Sequence, residues 1–170
     1  MKRILMFVIV LLAISVITLG VVNATAARTE FTGTFSITAT KEGALYFLKS
    51  GMMRQVGAEA SGPVTSDDPR LIGVLQIKLN VVFNLNTGKG NAFGSFTIIN
   101  ADGTFEGRFT TEDTEYILFE GKVEGHGTGA YEGLLVKLDM VGTDLYRDAD
   151  PLTNGISATF TGSILSPHGA

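Results

Sequence analysis

The sequence predicts an all-β fold, a small antiparallel β-barrel of about eight strands. Three observations predict it. Apolar and polar residues alternate along most of the chain, 21 of the 170 residues are glycine, and no segment after the N-terminus shows a convincing helical pattern. The chain has no cysteine, so disulfides do not hold the fold, and 45% of its residues are apolar, which suits a domain with a real core.

The N-terminus forms a separate unit in this prediction. A basic pair precedes an uncharged apolar run from Ile4 to Val22, and Ala24-Thr25-Ala26 matches the small-residue pattern cut by signal peptidase. Residues 1–26 are therefore predicted to be a signal peptide that is removed or a hydrophobic membrane anchor that is retained. Both alternatives place residues 27–170, a single β-barrel domain, outside the cytoplasm, either secreted or anchored to a membrane.

The first half of this domain gives a strand from Phe31 to Ala39, with Ala44 to Leu48 as its expected partner. Residues 50–69 show no pattern that assigns them to a strand, a lid or a loop. From Leu71 to Leu85 every second residue is apolar or glycine. One straight strand of that length would reach about 50 Å, so we expect a bend, for which Gly73 is the candidate.

The second half continues the alternation between turn-forming residues such as Asp102-Gly103. The further strands expected are Phe93 to Ile99, Phe105 to Phe109, Ile117 to Gly125, Tyr131 to Val141 and Ile156 to Leu165. Closure of such a meander into a barrel would remove its exposed edges, whereas a β-sandwich stays open as the alternative. Glycines on the inward rows favour the barrel, because sharp bends help a small barrel to close: Gly33, Gly73, Gly107, Gly121, Gly125 and Gly162.

One segment carries a resemblance to a known family. The run Glu124-Gly-His-Gly-Thr-Gly-Ala-Tyr-Glu-Gly133 resembles the Gly-x-Gly-x-[Phe/Tyr]-x-Gly segment of the allene oxide cyclase and dirigent-like barrels, and residues 93–165 fit the strands around it. The resemblance implies an eight-stranded barrel with an apolar cavity. Ser66-Asp-Asp-Pro-Arg-Leu-Ile-Gly73 is also similar to exported prokaryotic proteins with no assigned activity. The catalytic residues of the cyclases match no motif here, so none is carried over.

The candidate functional residues are apolar. Six inward side chains are predicted to line a ligand cavity or to fill the core: Leu75, Phe83, Phe105, Phe109, Phe119 and Phe160. His126 stands beside Glu124 and Glu120 on what we expect to be the solvated face. The loop residues Asp144, Asp148, Asp150 and Asn154 lack the EF-hand spacing, so a polar loop is favoured over a calcium site. The sequence predicts no metal and no cofactor, and it assigns no catalytic residue.

Three functions remain open at this point. The net charge of −4 makes nucleic acid an unexpected partner. The favoured hypothesis is an exported barrel that binds a small apolar molecule. The alternatives are a cofactor-free cyclase or isomerase of the allene oxide cyclase type, and a self-associating structural protein of the cell envelope. Apolar residues on both faces of the Leu71 to Leu85 segment favour a homo-oligomer, whereas the lack of catalytic motifs leans against an enzyme.

Overall fold

A computed structural model describes residues 26–115, 118–144 and 155–167, and in these ranges nine strands form one antiparallel sheet. The strands are β1 (Ala27–Lys41), β2 (Ala44–Phe47), β3 (Met52–Ser66), β4 (Gly73–Asn84), β5 (Lys89–Ile99), β6 (Gly103–Glu115), β7 (Leu118–Gly129), β8 (Leu135–Asp144) and β9 (Gly155–Ser166). Two single-turn 3₁₀ helices, Lys49–Gly51 and Pro69–Leu71, connect strands. Within these ranges no helix has the length and apolar character needed to cross a bilayer.

The sheet closes into a barrel because β1 is paired along both of its edges. One edge pairs with β9 and the other with β3, and the remaining strands follow in the order β9-β8-β7-β6-β5-β4-β3. Eight strands therefore form the ring, which confirms the barrel and rules out the sandwich. The predicted signal or anchor segment, residues 1–26, lies almost wholly outside the described part of the chain.

Two early segments differ from the sequence prediction. The strand over 44–47 pairs with β3, from Ala44 opposite Val56 to Phe47 opposite Met53, and not with β1. Residues 52–66, which the sequence left unassigned, form the barrel strand β3. Gly57 interrupts that strand with a φ of +74°, and the pairing with β4 shifts register between Gln55 and Ala58. This β-bulge changes which residues face inward, so the strand shows no continuous alternation.

The strands β4 and β8 begin later in the structure than the sequence predicts. Leu71 ends a 3₁₀ helix and β4 begins at Gly73, so the long alternating segment is divided at the glycine where a bend was expected. Tyr131 lies in a turn after β7, and β8 begins only at Leu135.

The end of the barrel where β1 begins and β9 ends is packed with large side chains, and we call it the closed end. Leu71 and Phe105 are fully buried there, and the Phe105 ring stacks on Tyr131 with 5.1 Å between ring centroids. The loops β3–β4, β5–β6 and β7–β8 all lie at this end.

A hydrogen-bonded chain joins these three loops. Asp68 is buried, and its carboxylate accepts hydrogen bonds from the Arg70 backbone N–H at 3.0 Å, from Nε at 2.9 Å and from Nη2 at 2.6 Å. The bonded guanidinium lowers the pKa of the Asp68 carboxyl. Arg70 O accepts from Asn100 Nδ2, and Asn100 Oδ1 accepts from the Tyr131 hydroxyl, each at 2.9 Å. The closed end is thus held by polar contacts as well as by packing.

Two inward glycines lie against aromatic rings. A Cβ on Gly33 would lie 2.2 Å from Phe160 Cζ, and one on Gly142 would lie 2.3 Å from Phe119 Cζ. Neither glycine has a positive φ. These positions therefore make room for aromatic rings inside the barrel, because a side chain there would overlap the ring.

Candidate functional site

A cavity of about 580 Å³ opens at the opposite end of the barrel, which we call the open end, and reaches inward as far as Val64 and Ile98. Its wall includes residues at or next to the strand ends on this side, among them Met53, Phe83, Leu85 and Asp113. The residues that fill the closed end, such as Leu71 and Phe105, take no part in the wall. Leu85 is 45% exposed, so the cavity communicates with solvent at its rim.

The inward rows explain why this end is hollow. At the closed end the inward positions carry the large side chains of Leu71 and Phe105. Nearer the open end, the inward positions of β5 and β6 carry the smaller Ala92 and Thr111. Small side chains on adjacent strands leave space that the neighbouring rings do not fill. A volume of this size lies within the range of about 300–1,000 Å³ that is typical of small-molecule sites.

The structure places five of the six candidate residues on the cavity wall: Leu75, Phe83, Phe109, Phe119 and Phe160. Phe105 does not belong with them. Its ring points inward as the alternation predicts, but it is 0% exposed and lies against Tyr131 in the closed end. A period of two gives the face of a strand and not the distance along the barrel, so the alternation alone does not separate Phe105 from the residues that line the cavity. Ligand contact by the other five stays a prediction.

Among the described residues, three polar side chains interrupt the apolar wall, and none of them is among the candidates predicted from the sequence. They are Gln55, Thr111 and Asp113. The alternation that turns Phe109 inward also turns Thr111 and Asp113 inward, so the signal for two of them was present. Gln55 lies before the β-bulge of β3, where no alternation could be followed.

The buried hydroxyl of Thr111 is already engaged. Its Oγ1 accepts a hydrogen bond from the Ala92 backbone N–H at 3.3 Å. The same hydroxyl donates a hydrogen bond to Ala92 O at 3.4 Å. Thr111 therefore stabilises the β5–β6 pair and has little remaining capacity for a ligand.

The Asp113 side chain, unlike that of Thr111, has no hydrogen-bond partner among the described residues. Asp113 is the only wall residue among those described that has a titratable side chain. Its carboxylate makes no hydrogen bond or ion pair in the described structure, and its Oδ2 lies beside Gly90, 2.8 Å from where a Cβ would stand. Burial raises the pKa of the Asp113 carboxyl. The cavity thus combines a mostly apolar wall with one carboxylate near its rim that has no protein partner among the described residues.

The other polar candidates lie outside the cavity. His126 is 59% exposed on the outer surface, as expected, and its Nε2 lies 3.3 Å from Glu106 Oε1. Glu124 instead pairs with Lys137. The predicted acidic loop falls outside the described residues, apart from the backbone of Asp144. In the described part of the chain, no three His, Cys, Asp or Glu side chains are grouped as metal ligands would be.

The outer surface has two further features, a depression rich in hydroxyl groups and the exposed strand β2. A depression of about 550 Å³ lies over β1, β8 and β9 and is rich in hydroxyl groups, including those of Thr34, Ser36 and Thr159. At the open end, the short strand β2 carries four exposed residues, and its neighbour Leu48 is also exposed. Phe47 is 72% exposed.

No protein-family model matches the chain, and no curated protein sequence does. The resemblance to the allene oxide cyclase and dirigent-like barrels therefore stays a prediction. The barrel itself is established by the pairing of its strands.

Proposed function

We propose that this protein is an exported barrel that binds a small apolar molecule in the cavity at its open end. The observation that carries the proposal is the cavity itself, about 580 Å³ in volume, whose described wall residues are aliphatic or aromatic except for three polar ones. A preformed concave site that is mostly apolar, with a few polar groups to orient the ligand, is the usual form of a small-molecule site. The uncharged run at the N-terminus supports export.

The first test is the mass of the full-length protein after expression in a host that exports it. The native mass is expected to exceed the denatured mass by that of one small molecule. The denatured mass also reports whether the chain is cut after Ala26 or keeps residues 1–26. A native mass equal to the denatured mass, together with no uptake of an apolar dye, contradicts the proposal.

A matched pair of variants locates the binding. Ala92→Phe places a ring on the inward face of β5, within the cavity, whereas Asn91→Phe places the same ring on the exposed face of the same strand. We expect N-phenyl-1-naphthylamine to fluoresce on binding the wild type and Asn91→Phe, and to bind Ala92→Phe at least tenfold more weakly. Equal binding by both variants would place the dye outside the cavity.

A cofactor-free cyclase or isomerase is a second candidate, because Asp113 provides the inward polar group that such an enzyme requires. Its test is chemical. The molecule released from the purified protein is incubated with catalytic amounts of protein, and chromatography is used to detect an isomer of the same mass. An unchanged compound counts against catalysis.

Self-association is a third candidate, favoured by the apolar strand β2. In the described structure β2 pairs only with β3, so its other edge can accept the β2 strand of a second copy. Sedimentation of the full-length protein, with Tyr46→Lys as a variant that charges this strand, tests it. A wild type that stays monomeric at high concentration rules out this assembly.

A further inference from the structure

We infer that the cavity selects amphiphilic amines, molecules with an apolar body and a protonated nitrogen that Asp113 binds at the rim. The inference deepens the proposed function and rests on it. The juxtaposition that carries it is a carboxylate that has no partner among the described residues, on the wall of a cavity that is otherwise lined mostly by apolar side chains.

The position of Asp113 sets where the head group lies. Its carboxylate is close to Gly90, and Phe83 is the residue opposite Gly90 across the β4–β5 pair. Phe83 and Leu85 line the same rim, so a nitrogen held at Asp113 leaves the apolar body to extend along Leu79 toward the interior. Gln55, on β3, also lines the wall.

The charge of the wall determines which head group is accepted. No Lys, Arg or His is among the wall residues described, so no cation in the cavity neutralises Asp113. A carboxylate that is partly removed from water gains most from a charged donor, because such hydrogen bonds are about twice as strong as neutral ones. An anionic head group would be repelled by the Asp113 carboxylate in the same place. This repulsion lowers the affinity for anionic ligands relative to cationic ones.

The experiment uses three probes with the same decyl chain: decylamine, decanol and decanoate. Each displaces N-phenyl-1-naphthylamine from the full-length protein at neutral pH, below the concentration at which the probe aggregates. We expect decylamine to bind at least tenfold more tightly than decanoate, with decanol between them. In Asp113→Asn the affinities for decylamine and decanoate should converge to within about threefold, while that for decanol stays unchanged.

The control variant is Glu112→Gln, which removes the adjacent carboxylate from the exposed face of the same strand. It changes the net charge as Asp113→Asn does, and it should keep the tenfold preference. The inference is overturned if the wild type binds decanol but does not distinguish decylamine from decanoate, or if the preference persists in Asp113→Asn. If no probe, decanol included, displaces the dye and the dye itself does not bind, the proposed function fails instead. Unfolding curves for both variants show whether each is folded.

Discussion

The contact between Gly142 and Phe119 gives a stability prediction whose sign depends on the packing described above. Gly142 lies on β8, opposite Phe119 of β7. A Cβ at this position would stand 2.3 Å from Phe119 Cζ, 2.7 Å from Ala158 Cβ and 2.7 Å from Ser157 O. All three separations are shorter than an ordinary contact of about 3.5–4.0 Å between carbon atoms, so the rings and strands must move to admit a methyl group.

Two effects of Gly142→Ala oppose each other. Alanine loses less backbone entropy than glycine on folding, which alone would stabilise the protein by about 0.5–1 kcal/mol. Overpacking a filled interior costs about 1–3 kcal/mol. Because the Cβ overlaps Phe119 and also approaches the Ser157 carbonyl, we expect the second effect to dominate and the free energy of unfolding to fall by about 1–2 kcal/mol.

A double-mutant cycle identifies the ring as the cause. Phe119→Leu alone is expected to cost about 1 kcal/mol. Combined with Gly142→Ala it should cost less than the sum of the single changes by about 0.5–1 kcal/mol, since the shorter side chain leaves space for the methyl group. The free energies come from urea unfolding of the full-length protein, followed by circular dichroism. An increase in stability for Gly142→Ala, or strictly additive costs, would refute this account of the inward glycines.

Three further predictions concern polar groups. Asp68→Ala leaves the half-buried Arg70 guanidinium unpaired, and we expect a loss of about 2–3 kcal/mol at pH 7 in urea unfolding. Because the pKa of Asp68 is lowered in the fold, its contribution is present above its ordinary pKa and declines as the pH falls below about 4, so wild type and variant should converge in acid. The raised pKa of Asp113 has the opposite sign: its ionised form destabilises the fold, so Asp113→Asn should raise the melting temperature at pH 7 and have no such effect near pH 3. Tyr131→Phe removes the hydrogen bond to Asn100 and should cost about 1 kcal/mol, whereas an unchanged stability would mean that the closed end does not depend on that bond.

Alternation along the chain was sufficient to predict most strands and their inward faces. The odd positions of β4 and β6 were assigned inward, and Leu75 and Phe109 are buried as a result. The same pattern placed His126 on the outer surface, where the structure has it. These predictions succeeded because β4, β6 and β7 each have one solvent-exposed face and one buried face, so every second residue is apolar.

The parts that sequence did not predict depend on interactions between distant segments. In β3 the inward residues have odd numbers before the bulge at Gly57 and even numbers after it, where Ala58, Ala60 and Val64 are buried. Because the alternation changes at the bulge and two of these residues are small, the sequence pattern did not reveal the strand. Closure requires β1 to pair with β3 along one edge, and no local pattern encodes that pairing. The cavity depends on how far along the barrel each inward residue lies, and the alternation does not give that distance, so it does not separate Phe105 from the residues of the wall.

Both described ends of the chain meet at the closed end, where Ala27 of β1 lies opposite Ser166 of β9. An attachment made at either end is therefore separated from the cavity rim by the length of a barrel strand. If residues 1–26 hold the protein on a membrane, the rim points away from the bilayer, toward molecules that arrive from the surrounding medium. For the same reason, a surface-coupling group attached directly after Ser166 starts from the closed end, so the binding experiments can be carried out on immobilised protein.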